Sequence, residues 1–225
     1  MRPWTWWRFY FRGKKCPEMC LKINRSVKTP WHRPSMGVPR SWLWAPGTLI
    51  YLYLLFPLEC YTIFDFEDHN LSQWTLTGTA FNNQPTYGDI PSARRGGHFS
   101  NHKGDWWIGT FENRPSPSYP VGRYQYDSPQ GSMTSPGFSI TGKSLRFLIG
   151  GGCDPSFQDL RAELIIEGQV VLVQTAKRCA EAMTEKSWNV TSYVGKHAQL
   201  RLIDHSSGVW GHLNFDHFQA CHKLI

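Results

Sequence analysis

No run of about 20 apolar residues occurs in this 225-residue chain, so no segment reads as a helix able to span a bilayer. The longest uncharged apolar stretch, Leu49 to Leu58, is half that length and is broken by Pro57. Helical patterning is equally scarce: only Ala176 to Lys186 has helix-forming composition, and it is short. Charge is also missing from most of the chain. Of the 24 basic residues ten lie in residues 1–60, against Glu18 and Glu59, which gives that segment a net +8. The remaining 14 basic and 15 acidic residues sum to −1, so the overall +7 belongs to the leader. The rest of the chain therefore lacks the basic footprint of a nucleic-acid binder.

What is present begins with a sorting signal. The Leu49–Leu58 run fits the apolar centre of a secretory signal peptide, with Arg40 as its basic flank and Met36 as a start residue. The sequence thus predicts an unstructured basic leader over 1–35, a signal peptide over 36–62 and a secreted domain over 63–225. Cys16 and Cys20 in the leader have no second pair that would complete a zinc site.

The domain reads as strands throughout. Ile63 to Glu67, Leu145 to Ile149, Gln199 to Ile203 and His212 to Asp216 alternate or nearly so. Ala162–Ile166 and Val170–Val173 flank Glu167-Gly168-Gln169, a hairpin signal. Gly, Pro, Asn and Ser clusters such as Pro115-Ser116-Pro117-Ser118 separate the runs. The expected fold is all-β, an antiparallel two-sheet jelly-roll sandwich.

Phe64-Asp65-Phe66-Glu67 with Trp74, and Trp210-Gly211-His212-Leu213-Asn214-Phe215-Asp216 before Cys221, resemble the opening and closing strands of MAM-type extracellular domains. Gly104-Asp105-Trp106-Trp107-Ile108-Gly109-Thr110-Phe111, Phe147-Leu148-Ile149-Gly150-Gly151-Gly152 and Asp204 to His212 are similar to jelly-roll modules attached to secreted bacterial fructan-cleaving glycosidases. The resemblance implies a non-catalytic binding module. The glycosidase active-site patterns Asn-Asp-Pro-Asn-Gly, Arg-Asp-Pro and Glu-Cys are absent from residues 63–221, and the cysteines depart from the MAM pattern.

A cut after Cys60 or Thr62 leaves Cys153, Cys179 and Cys221. Cys153 and Cys179 bracket the central hairpin and are expected to pair, which leaves Cys221 for an intermolecular bridge. A cut before Cys60 instead allows Cys60 to join Cys221. Asn70-Leu71-Ser72 and Asn189-Val190-Thr191 are glycosylation acceptors in a secreted chain.

Two binding chemistries are legible. Trp106 and Trp107 are neighbours, so on one strand they face opposite sides of a sheet. The exposed one, rimmed by Asp105, Glu112 and Arg114, would stack a sugar ring. In the outer strands Glu67, Asn214 and Asp216 point away from the apolar face, and their oxygens suit a structural Ca²⁺. Adhesion or protein–protein contact outside the cell ranks first as the function, and carbohydrate binding second.

Three motifs fail on context. His98, His102 and Asp105 lie in a loop without a helix to set ligand spacing. Asp204-His205-Ser206 is adjacent in sequence, unlike a triad assembled by a fold. Gly137-Phe138-Ser139-Ile140-Thr141-Gly142-Lys143-Ser144 spells a phosphate loop, but a strand rather than a helix follows it. Calorimetry should accordingly detect no ATP binding by the wild type, and Lys143→Ala should leave the trace unchanged; measurable heat of binding lost in the variant would restore the nucleotide site.

Overall fold

The computed structural model describes residues 60–156 and 158–222. The leader and the apolar run through residue 59 lie outside the described residues. The domain is a sandwich of two antiparallel sheets, as the alternation predicts. Twelve strands are present in the described residues: β1 Cys60–Phe64, β2 Thr75–Gly78, β3 Thr86–Tyr87, β4 Trp106–Gly109, β5 Gly131–Thr134, β6 Phe138–Ser139, β7 Ser144–Gly151, β8 Leu160–Ile166, β9 Gln169–Gln174, β10 Ala180–Asn189, β11 His197–Asp204 and β12 Leu213–Cys221. One short helix, α1 (Ile90–Arg94), and a 3-10 turn at Thr191–Tyr193 complete the elements.

One sheet runs β10-β7-β12-β4-β3, with β1 also paired to β12; the other runs β2-β5-β11-β8-β9, with β6 on β11. Their inner faces supply a single main core. Ile108, Leu145, Phe147, Ile149, Leu213, Phe215 and Phe218 come from the first sheet, and Met133, Leu164, Leu200 and Leu202 from the second. Phe147, Phe215 and Phe218 lie within ring contact of one another, with Trp188 against Phe147 at 4.5 Å. Alternation alone would send residue 217 inward. His217 adopts φ +56 and the β12–β7 register shifts between Asp216 and Gln219, a bulge that turns Phe218 and Ala220 into the core.

The expected hairpin forms. Ile166 faces Gln169 across Glu167 and Gly168, both at positive φ, the geometry a two-residue hairpin turn requires. Ser144 opens strand β7, so the phosphate-loop motif leads into a strand.

Three expectations need correction. The helical composition of Ala176–Lys186 does not produce a helix: residues 180–189 form β10, because pairing with β7 and burial of Met183 and Trp188 override propensity. Secondly, the expected domain start at residue 63 falls inside β1, which begins at Cys60 and pairs Cys60 with Cys221, Tyr61 with Ala220 and Thr62 with Gln219. Thirdly, Cys221 is not left for an intermolecular bridge, since it bonds to Cys60 across that register. Cys153 and Cys179 are bonded as expected.

Bridges closing loops of 161 and 26 residues stabilise chiefly by restricting the unfolded chain. Replacing both Cys60 and Cys221 by Ser should lower the unfolding free energy by about 2–5 kcal/mol in a urea titration. A non-reducing peptide map of the wild type should show these two cross-linked pairs; free alkylated Cys60 and Cys221 would contradict the pairing.

Candidate functional site

The outer face of the β10-β7-β12-β4-β3 sheet is covered, and the covering creates the site. Residues 88–103, including α1, lie across it: Met183 N–H donates to Ser100 O at 2.8 Å, and Ser100 N–H to Asp89 Oδ1 at 3.2 Å. Beneath this segment Trp107, Leu148 and Met183 form a second apolar cluster. Trp107 is fully buried and its indole N–H donates to Gly88 O at 2.8 Å. Its ring lies over Gly109, where an added Cβ would meet ring atoms at 2.5 Å.

Polar side chains on the same face are buried with it, and burial without a partner is costly. They answer with an ionic chain. Arg94, from α1, forks onto Glu112, with Nη2 to Oε1 at 2.8 Å, and reaches Glu181 Oε1 at 3.6 Å. His212 Nδ1 meets Asp127 Oδ1 at 2.7 Å, and its Nε2 lies 3.5 Å from Glu181 Oε2. That last separation is in ion-pair range but forms no hydrogen bond. Among the described residues, His212 Nε2 and Asn214 Oδ1 are buried side-chain atoms without a hydrogen-bond partner. Asn214 Nδ2 donates to Glu181 O at 3.0 Å and to its Oε2 at 3.3 Å, so Asn214 and His212 both meet the same glutamate.

Burial sets the protonation here, modified by partners. It pushes Glu112 up to about 7 against the pull of Arg94, and Asp204, bonded to Thr110, to about 7. For His212 burial opposes the charge, but the Asp127 bond and the Glu181 carboxylate outweigh it and hold it up at about 9. Burial would raise Glu181, yet His212, Asn214 and Arg94 together hold it below the usual range.

Over this chain opens a cleft of about 110 Å³ lined by Arg95, Phe111, Asp127, Glu181, Val209, Trp210 and His212. A second hollow of about 350 Å³, lined in part by Phe99, Cys179, Glu181 and Trp210, adjoins it through Glu181 and Trp210. Trp210 stacks on His212 at 5.6 Å. The turn that presents it needs Gly211, whose Cβ would strike Gly208 O at 2.7 Å. The arrangement can place a flat apolar face against Trp210 while accepting hydrogen bonds at Glu181 and Asp127, with charged His212 between the two carboxylates.

Most sequence-predicted residues lie elsewhere or serve the frame. Trp106 and Trp107 do face opposite sides of β4, but neither offers an open ring: Trp106 is half-buried between His69 and Tyr87, at 4.9 and 5.1 Å. Asp105 is exposed, with its N–H on Glu67. Arg114 binds the carbonyls of Tyr87, Pro117 and Tyr119, organising a loop. Of the five, Glu112 alone joins the ionic chain. Of the proposed cation ligands, Glu67 lies close enough to Asp216 to act on its charge, and each of the three also has protein partners. Asn214 belongs with Glu181, whereas Glu67 accepts from Asp105 and Trp106 N–H, and Asp216 from Lys103 and His217 N–H. Burial, with Glu67 and Asp65 nearby, pushes Asp216 up to about 8. No group of three His, Cys, Asp or Glu among the described residues is arranged to hold a metal ion. Asn70 and Asn189 are both exposed. The residues sequence reasoning missed are Arg94, Asp127, Glu181, Trp210 and His212; Trp210-Gly211-His212 was visible as a motif, but nothing local marked its partners 31 to 118 positions away.

Glu112, Asp204, Asp216 and His212 all bind protons more tightly in the folded state than in the unfolded chain. Stability from each is therefore full at low pH and lost as pH rises to the folded pKa. The melting midpoint should fall between pH 7 and 9, where His212 and Asp216 still titrate, and His212→Gln should flatten the slope. A midpoint constant over that range in the wild type would contradict these protonation states.

No family model matches the chain, so the MAM-type resemblance gains no support there. A protein of Aspergillus rugulosus, "Putative glycosyl hydrolase ecdE", is 33% identical over 160 residues, covering 70% of this chain and 20% of its own length. The chain thus spans about a fifth of that curated relative. Solved structures of similar fold include a cyclase from Fischerella sp. TAU (TM-score 0.41, 15% identity, 72% of this chain and 97% of that one). TmCBM61 in complex with β-1,4-galactotriose gives 0.40 at 13% identity, covering 71% and 94%. The K3 adhesin domain of Lys-gingipain from Porphyromonas gingivalis gives 0.37 at 14% identity, covering 72% and 99%. At such scores these likenesses carry no functional weight.

Proposed function

We propose that the sandwich is a secreted, non-catalytic carbohydrate-binding module whose site is the cleft under Trp210. The observation that carries this reading is the cleft itself, where the Trp210 ring stands over charged His212, which Asp127 and Glu181 flank with their carboxylates. A sugar ring complements that arrangement. Its C–H face covers an aromatic ring, and its hydroxyls both accept and donate, so they can donate to the carboxylates that line the cleft. The paired positions of Asp127 and Glu181 on either side of His212 fix the imidazole, so the site is oriented before a ligand arrives. The relative's name supports a glycan context, and a segment matching a fifth of a longer chain suits an ancillary module. Two disulfides and the exposed acceptors Asn70 and Asn189 fit an oxidising, extracellular setting.

This reverses the ranking drawn from sequence, in which protein contact came first. Of the earlier candidate rings Trp107 is fully buried and half-buried Trp106 is held between His69 and Tyr87, and the reading rests on a different tryptophan, half-buried Trp210 beside the cleft.

Affinity electrophoresis of the full chain through gels containing inulin, galactan, xylan or soluble cellulose derivatives tests it. At least one polysaccharide should retard the wild type, with retardation lost in Trp210→Asn and Glu181→Gln and kept in Arg114→Lys. Binding to none of them, or binding equal in wild type and both cleft variants, would remove carbohydrate recognition from this cleft.

A further inference from the structure

The rings at the cleft do not end at Phe111. Trp210 stacks on His212 at 5.6 Å, His212 meets Phe111 at 5.2 Å, Phe111 stacks on Tyr124 at 5.3 Å, and Tyr124 meets Tyr126 edge-on at 4.7 Å. Arg94 lies over both Phe111 and Tyr124, so the guanidinium that neutralises Glu112 also backs the middle of the row.

Two features set this row apart from ordinary packing. Its outer end is in water: Tyr124 is 40% exposed and Tyr126 63%. Hydrophobic burial therefore does not account for Tyr126 being held there. Moreover, both terminal members stand in the left-handed region, Tyr126 at φ +68 and Trp210 at φ +63. A bulky side chain in that conformation is strained and persists only where its surroundings enforce it. The enforcement is visible. Asp127, next to Tyr126, is fastened to His212, two residues from Trp210, so one hydrogen bond locks the segment 124–127 to the segment 210–212. Strain at both ends of one aromatic row, half-buried at Trp210 and Phe111, buried at His212 and exposed at Tyr124 and Tyr126, is the mark of a surface shaped for contact.

Charges of both signs border the row: Arg94, Arg95, Arg123 and charged His212 are interspersed with Glu112, Asp127 and Glu181. That mixture offers no field of a single sign and fits a neutral chain.

We propose that this row is a track for a neutral oligosaccharide of several residues, anchored in the Trp210–His212–Glu181 cleft and stacked at its far end on Tyr126. Chain length, rather than a single terminal sugar, then decides affinity. This inference rests on the carbohydrate reading of the cleft and adds the ligand's form to it. Each ring along the track contributes separately, because stacking contacts of this kind act over one ring face at a time.

The test is calorimetry of the full chain with cello-, xylo-, galacto- and fructo-oligosaccharides of one to six residues. Tyr126→Asn and Trp210→Asn are the variants, since asparagine tolerates positive φ. For the series that binds, affinity should climb from the monosaccharide through the longer members. Tyr126→Asn should weaken the hexasaccharide by about two- to tenfold and leave the disaccharide unchanged, whereas Trp210→Asn should weaken every length. Equal affinity for monosaccharide and hexasaccharide, or a hexasaccharide indifferent to Tyr126→Asn, would overturn the track while leaving the cleft intact. Binding of no sugar at any length would overturn the cleft reading itself, and the track with it. Unchanged melting midpoints in both variants would establish that losses arise at the surface and not from unfolding.

Discussion

A sheet covered on both faces must pair its polar residues as carefully as it packs its apolar ones. In this domain the inner face of β12 carries Leu213, Phe215 and Phe218, and the outer face carries Asn214 and Asp216, which are equally buried. The segments laid over that outer face make the pairing obligatory, because an uncompensated buried charge costs several kcal/mol. Arg94 on Glu112 and His212 between Asp127 and Glu181 are the answer. That answer is incomplete at two atoms. A fully satisfied network would be inert; this one leaves a donor at His212 Nε2 and an acceptor at Asn214 Oδ1.

The inner half of the structure was legible because it obeys local periodicity. Strands β7, β11 and β12 and the β8–β9 hairpin appear where alternation and the Gly168 turn put them. The short strands β2, β3, β5 and β6 carry too few residues for a pattern, and their identity comes from neighbours: Thr75 to Gly78 becomes a strand because β5 lies beside it. β10 was misjudged for the same reason. Glu181, Met183, Glu185 and Lys186 read as helix formers until the partner strand and the Cys153–Cys179 bridge fix an extended backbone.

The outer half was not legible, since it depends on what covers the sheet. Sequence alternation correctly placed Trp107 opposite Trp106, but which of them reaches solvent is decided by residues 88–103 and 111–127 folding over the sheet. The same coverage separates Asn214 from Asp216. They share a strand face, yet one is drawn to Glu181 and the other to the backbone of Lys103.

The Cys60–Cys221 bond has a mechanical consequence. It ties β1 to β12 at the point where the chain enters and leaves the sandwich, with the two Cα atoms 4.1 Å apart. Tension applied to the flanking chain passes through one covalent link and never reaches the strands between. A domain so tethered can be pulled from both ends of its chain without its sheets being peeled, since the load is shunted past the fold rather than through it.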